Sequence, residues 1–301
     1  VGGEADEWKT GAQMSRQHAP LVYPDAHAET SVMGGRAVRW WRRPGSGPTV
    51  MFLSGCGMAM EFWGQVVDLL PGRGVASYDR PGLGGTPWPG HLPTLDEEVG
   101  TLVDLLRGMG GPVVLVAHSM AAFHAEALTR AHPDLVAGVV LVDPSVEWPW
   151  SPPNVSSARP SRALGSMVSS LRLSALGPIV TRVMVWAQSN QRLTHEVAAK
   201  APRRYNDPNA LAMALAESTA YGRQSWDLMI SRARFPWPDT PASVLSADKG
   251  EERRHRGGQL RLARSLHAEY SDVEHSRHFM MLDRPDAVAD AVRRVTAAVP
   301  S

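Results

Sequence analysis

Cysteine is nearly absent from this chain: Cys56 is the only one among 301 residues. A single cysteine excludes an internal disulfide, so the sequence points to a reducing, cytoplasmic setting. Lysine is almost as scarce, occurring only at positions 9, 200 and 249. The basic complement is therefore nearly all Arg, which reads as coding bias rather than phosphate binding. Net charge is +1, which gives no electrostatic ground for binding nucleic acid or an acidic membrane surface. No apolar run approaches the roughly 20 residues of a membrane span. The opening residues Val1 to Glu7 lack the basic start and apolar core of a signal peptide. The run Gly82-Leu83-Gly84-Gly85 lacks the spacing and the later acidic residue of a dinucleotide loop. His275 and His278 are three apart, but no Cys/His set completes a zinc site around them. Neither a cofactor nor a metal is expected, and the partner should be a small molecule.

What is present is enough apolar residue, 43%, to bury a large core. Strand-like and helix-like stretches alternate, which predicts a mostly parallel sheet with helices on both faces. Glu29–Met33 and Ala37–Arg42 around Gly34-Gly35 read as a hairpin, and Thr49–Leu53 as a buried strand. A helix with Phe62, Val66, Leu69 and Leu70 on one face should follow, then a strand over Gly74–Tyr78. Thr94 with Glu97 forms a capping-box pattern ahead of Leu95, Val99, Leu102 and Leu106. Strands are expected at Val113 onward, Gly138–Val142, Ala242–Ser246 and Ser271–His275. A last helix should start near Arg284-Pro285 and carry Val288, Val292, Val295 and Val299.

From about Glu147 the texture changes to a Pro- and Ser-rich loop, then two helical patterns. One holds Ile179, Val180, Val183, Met184 and Ala187; the other starts at Asp207-Pro208 and carries Leu211 and Leu215. This divides the chain into an extension (1–27), a first core part (28–146), a helical insertion (147–237) and a second core part (238–301). The insertion is rich in Trp and Met, among them Trp148, Trp150, Met167, Met184, Trp186 and Met213. That composition suits a cap packed over a pocket.

Ser119 is the most informative residue. A fully apolar strand, Val113 to Ala117, runs into Ala117-His118-Ser119-Met120-Ala121 and then into a helix-forming stretch. A strand-to-helix turn this tight needs small residues two before and two after its apex. It leaves the apex hydroxyl exposed at the sheet end over helix N-terminal amides, the setting of a serine nucleophile.

Four runs in order resemble the α/β-hydrolase family. Leu53-Ser54-Gly55-Cys56-Gly57 is similar to its oxyanion turn, with Ser54 where His is usual. Tyr78-Asp79-Arg80-Pro81-Gly82-Leu83-Gly84-Gly85-Thr86 looks like its Asp-X-X-Gly-X-Gly-X-Ser turn, with Asp79 bracing it. Ala117 to Ala121 resembles the nucleophile elbow, with Ala for both glycines. Arg277-His278-Phe279 with Leu282-Asp283-Arg284-Pro285 resembles the loop carrying the catalytic His. The resemblance implies an α/β-hydrolase fold, Ser119 as nucleophile, His278 as base, and the Cys56 and Met120 N–H groups as oxyanion donors. His118 should point away from Ser119, and His124, on the following helix, should pack or meet solvent.

Chain order leaves the acid open between Asp143, which ends its strand in register, and Asp248, which follows the next core strand. Glu251 and Glu252 are outside candidates. The resemblance thus implies a serine hydrolase cleaving an ester, lactone or thioester of an apolar small molecule. Ser at position 119, rather than Asp, argues against epoxide hydrolase and dehalogenase chemistry. An acyl-transfer or lyase member, or a non-catalytic one binding an apolar ligand, is the alternative.

Overall fold

The computed structural model describes residues 28–146, 159–170, 177–190, 207–248 and 253–299. The expected extension (1–27), the cap stretches 147–158, 171–176 and 191–206, and Glu251 and Glu252 lie outside the described residues.

Eight strands form one sheet: β1 (Glu29–Met33), β2 (Arg36–Arg43), β3 (Ser46–Leu53), β4 (Arg73–Asp79), β5 (Val113–His118), β6 (Val136–Val142), β7 (Ala242–Ala247) and β8 (Glu269–Val273). Their order is β1-β2-β4-β3-β5-β6-β7-β8. β2 runs antiparallel to both its neighbours, β1 across the Gly34-Gly35 turn and β4, and β3 to β8 are mutually parallel. The centre is apolar on both faces, as a doubly covered parallel sheet requires.

Alternation sorts those residues. Val50, Phe52, Val114, Val116, Val140 and Val142 face one cluster, whose helices are α1 (Gly64–Asp68), α8 (Met280–Asp283) and α9 (Pro285–Ala297). Met51, Leu53, Leu115, Ala117, Val139 and Leu141 face the other, against α2 (Leu95–Arg107), α3 (Ala121–Ala131) and α7 (Arg253–Ser265).

Among the described residues, three helices fall within the expected insertion: α4 (Arg159–Ser170), α5 (Gly177–Gln188) and α6 (Pro208–Arg234). α6 is the long one. It starts where Asp207 and Pro208 predict, with the Asp207 side chain accepting from Asn209 N at 2.9 Å. It crosses the turns that follow β3 and β4: a Cβ built on Gly57 would meet Ala214, and one on Gly82 would meet Met213.

Local expectations fail at chain breaks. The helix expected through Phe62 to Leu70 is a 3₁₀ turn, Met60–Trp63, followed by the short α1, and Leu69 beyond its end is exposed. The last strand sits two residues earlier than Ser271–His275, because His275 takes φ +61° and cannot extend the ladder. Val299 lies past the end of α9, although it packs against the same cluster. The Thr94–Glu97 capping box forms as the sequence predicts. No helix among the described residues is long and apolar enough to cross a membrane.

Candidate active site

β5 ends at His118, and α3 begins at Ala121, leaving two residues to reverse the chain. Ser119 is the hinge, at φ +54°, a left-handed conformation that a residue with a Cβ adopts at a cost of order 1 kcal/mol or more. Ala117 and Ala121, both fully buried, leave room for the reversal. The carbonyl of Ser119 accepts from Ser145 N at 3.1 Å and its N–H donates to Val142 O at 3.2 Å. The turn is thereby tied to the end of β6.

The loop between β8 and α8 brings His278 over the same strand ends. His278 Nε2 lies 3.0 Å from Ser119 Oγ, and its Nδ1 lies 2.6 Å from Asp143 Oδ2. A neutral imidazole serves that order with its proton on Nδ1 and its lone pair on Nε2, facing the hydroxyl. Asp143 is fully buried and strained at φ +43°. Burial opposes charge on its carboxyl. The bond from His278, with those from Gln259 Nε2 (2.9 Å) and Ala247 N (3.1 Å), outweighs it and holds the pKa below the ordinary Asp value. Asp248, the other candidate acid, does not take this place. Its Oδ1 accepts from Ser276 N at 2.9 Å and so shapes the loop two residues ahead of His278.

Other parts of that loop are clasped from α5. Phe279 N donates to Gln188 O at 2.8 Å, while Asp283 accepts from Ser189 Oγ (2.5 Å), Asn190 N (2.8 Å) and Arg277 N (2.8 Å). His118 sits beneath, its ring 4.5 Å from that of His278 and its Nε2 2.9 Å from His278 O. It makes no bond to Ser119 Oγ. Burial, and then the neighbouring His278, push its pKa down to about 3, so it is neutral and donates from Nε2. His124 is also buried and its pKa lowered by that burial; its Nε2 pairs with Gln224 Oε1 at 2.8 Å.

Gly55 lies directly over the elbow: a Cβ built there would be 3.1 Å from Ser119 Cβ. This sets the Ser54-Gly55-Cys56-Gly57 turn beside the nucleophile candidate. Neither Cys56 N nor Met120 N, the two expected oxyanion donors, has an acceptor among the described residues. Burial raises the Cys56 thiol to about 12, so the side chain is an unreactive thiol. Asp79, expected to brace the neighbouring turn, opens it and accepts from outside it, from Met60 N at 2.8 Å and Arg39 Nη1 at 3.1 Å. A side chain on Gly84 would collide with it.

Sequence reasoning missed three residues here: Gln259, Arg80 and Glu217. Gln259 accepts from Ser246 Oγ at 2.5 Å and donates to Asp143 and Pro144 O. Gln259 and Glu217 each interrupt an apolar helical stripe (Gln259 before Leu262, Ala263 and Leu266; Glu217 between Met213 and Ala220), and each is fully buried. A polar residue at a core position is the signal that could have found both.

Comparison with known proteins agrees with the architecture. Over 103 residues the chain is 39% identical to Lipase LipV of Mycobacterium tuberculosis, covering 34% of this chain and 39% of that one. Over 111 residues it is 36% identical to Esterase Rv0045c of the same organism, covering 36% and 35%. The chain thus spans under two fifths of the length of these relatives. The structure of Cfl2 from Burkholderia cenocepacia superposes with a TM-score of 0.72 at 19% identity, over 89% of this chain and 94% of that one, a likeness of fold alone. The profile of the alpha/beta hydrolase family matches residues 50–291, a stretch that runs from β3 into α9 and contains the elbow, the His278 loop and all the strands between, and the chain belongs to that family.

Proposed function

We propose that this protein is a serine hydrolase that cleaves a carboxylic ester, lactone or thioester of an apolar small molecule. The observation that carries the reading is the series Asp143 Oδ2, His278, Ser119 Oγ, joined at 2.6 and 3.0 Å. Ser119 Oγ attacks the carbonyl carbon while His278 Nε2 takes its proton, and Asp143 stabilises the imidazolium through Nδ1. The carbonyl oxygen gains negative charge and is held by the N–H groups of Cys56 and Met120. Collapse of the tetrahedral species breaks the bond to the leaving group, which receives the proton from His278. Water, deprotonated by the same nitrogen, then releases the acid and restores Ser119.

The apolar preference is supported by the surroundings of those two amides. The Met120 side chain clusters with Leu95, Phe123 and Leu228, with Cys56 and Tyr221 packed against them. Tyr221 and Leu228 come from α6, which supports reading residues 147–237 as a cap over the site. The similarity to a lipase and an esterase supports ester chemistry over the lyase and acyl-transfer alternatives. The single cysteine, which excludes an internal disulfide, suits a cytoplasmic setting.

The test is turnover of p-nitrophenyl esters of increasing acyl length. Ser119→Ala and His278→Ala should each lower kcat by several orders of magnitude, because members of such a series act as a unit. Both proteins should keep the wild-type circular dichroism. Undiminished activity in Ser119→Ala would sink the mechanism.

A further inference from the structure

A buried ion pair that the hydrolytic mechanism does not use converges on the Cys56 turn. Arg80, just after β4, and Glu217, in the middle of α6, are 2% and 0% exposed and bonded to each other through Arg80 Nε and Glu217 Oε1. A second bond joins Arg80 Nη2 to Glu217 Oε2 at 3.1 Å. Both members of the pair also reach the turn. Arg80 Nη1 donates to Ser54 O at 2.5 Å and Nη2 to Gly55 O at 2.6 Å, while Gly57 N donates to Glu217 Oε2 at 2.5 Å. Cys56 is the residue enclosed between those contacts.

Peptide geometry gives this clamp a consequence. A trans peptide points its C=O and N–H in opposite directions. Holding Gly55 O on Arg80 therefore turns the Cys56 N–H away from Arg80. Holding the Gly57 N–H on Glu217 turns the Cys56 carbonyl away from Glu217. Gly55 O also accepts Met58 N at 3.1 Å, a bond that closes the turn without fixing its tilt against the sheet. Trp63 Nε1 donates to Ser54 Oγ at 3.1 Å and Cys56 Sγ to Ala214 O at 3.7 Å, but the ion pair is what grips the peptide on either side of Cys56, and half of the pair stands on α6.

We propose that Arg80 and Glu217 are positioning residues for the oxyanion site, holding the Cys56 N–H toward Ser119 and making its orientation depend on α6 being seated. The inference rests on the serine-hydrolase reading, in which that amide receives the carbonyl oxygen. Displacing a donor by about 1 Å costs on the order of 10²-fold in rate, and this is the effect that loosening the clamp should have.

The chain has one cysteine, so protein labelled with ¹⁵N at cysteine alone carries one backbone amide signal, that of Cys56. In the wild type it should be single and sharp, and phenylboronic acid, which adds to a reactive serine and leaves an oxygen at the oxyanion position, should move it downfield. In Glu217→Gln, which keeps shape and one acceptor, and in Arg80→Lys, which cannot reach both carbonyls, the signal of the free protein should shift, broaden or split. Their kcat on p-nitrophenyl butyrate should fall about 10²-fold with KM little changed. A pair with a merely structural role would lower the melting temperature and leave the Cys56 signal and kcat of the folded protein at wild-type values, and that result overturns the proposal. The Ser119→Ala control separates the two readings. If it still hydrolyses the ester, the serine mechanism fails, while the Cys56 signal of the unliganded variants continues to decide the pair.

Discussion

At the scale of single residues, what faces His278 decides the chemistry open to it. Asp143 reaches Nδ1, and its own carboxylate is fixed by Gln259 and the Ala247 N–H. Asn at 143 would keep the shape, stabilise the other tautomer and leave no anion for the imidazolium. Asp143→Asn should therefore lose about 10⁴ in kcat. Asp248→Asn gives up only a carboxylate on Ser276 N and should stay within about tenfold of wild type, as expected of a group that touches loop backbone rather than the reacting atoms. Equal losses in both variants would contradict the assignment.

His118 makes a different prediction. Its pKa falls from 6.5 to about 3 on folding, so the unfolded chain takes up the proton first. Stability is complete above pH 6.5 and drains as pH falls towards 3, by about 1.4 kcal/mol per pH unit from this one group. His124 is shifted the same way. Urea denaturation between pH 7 and pH 4 should show His118→Gln losing stability less steeply than wild type; parallel slopes would refute the assignment.

Ser119 and His278 were legible because each sits in a local pattern of a few residues. The choice between Asp143 and Asp248 was not, because both end neighbouring strands. Only the left-handed turn at Asp143 and the path of the loop from β8 decide which carboxylate meets the ring.

At the scale of elements, α6 is the part that sequence periodicity described least well. Its start at Asp207-Pro208 was plain, but the expected apolar marks Leu211 and Leu215 lie only partly buried, while Ala210, Met213, Glu217, Ala220, Gln224 and Leu228 face the core. The seam is small and polar, and three of its polar members have partners more than 90 residues away: Glu217 on Arg80, Gln224 on His124 and Pro93 O, Arg232 on Glu126. Pairings at such separation leave no periodic trace. Glu126 accepts from Arg130 Nε at 2.9 Å and from Arg232 at 2.8 and 2.7 Å, with all three side chains largely buried. Glu126→Gln leaves two guanidinium groups without their counter-ion and should cost about 3 kcal/mol in urea denaturation. Because Glu126 bonds Arg130 and Arg232 and not Ser119, His278 or the Cys56 turn, kcat of the folded variant should be unchanged. A stability loss below about 0.5 kcal/mol, the range of an exposed pair, would mean the end of α6 is not held this way.

At the scale of the whole molecule, the alternation of apolar strands and amphipathic helices was enough to read a mostly parallel sheet covered on both faces. The antiparallel β1–β2 edge followed from Gly34-Gly35. A parallel sheet places the C-terminal ends of its strands together, and there the turns after β3, β4, β5, β6 and β7 meet. Ser119, Asp143, Cys56 and Arg80 come from four of those turns, and α6 crosses two of them. In the proposed mechanism this assembly makes Ser119 the reactive hydroxyl. A fluorophosphonate probe, followed by intact mass and peptide mapping, tests it most directly. The expected result is one adduct per chain on the peptide containing Ser119, loss of ester hydrolysis in step with labelling, and no adduct in Ser119→Ala. Labelling at another residue, or full ester hydrolysis in protein already labelled at Ser119, would contradict it.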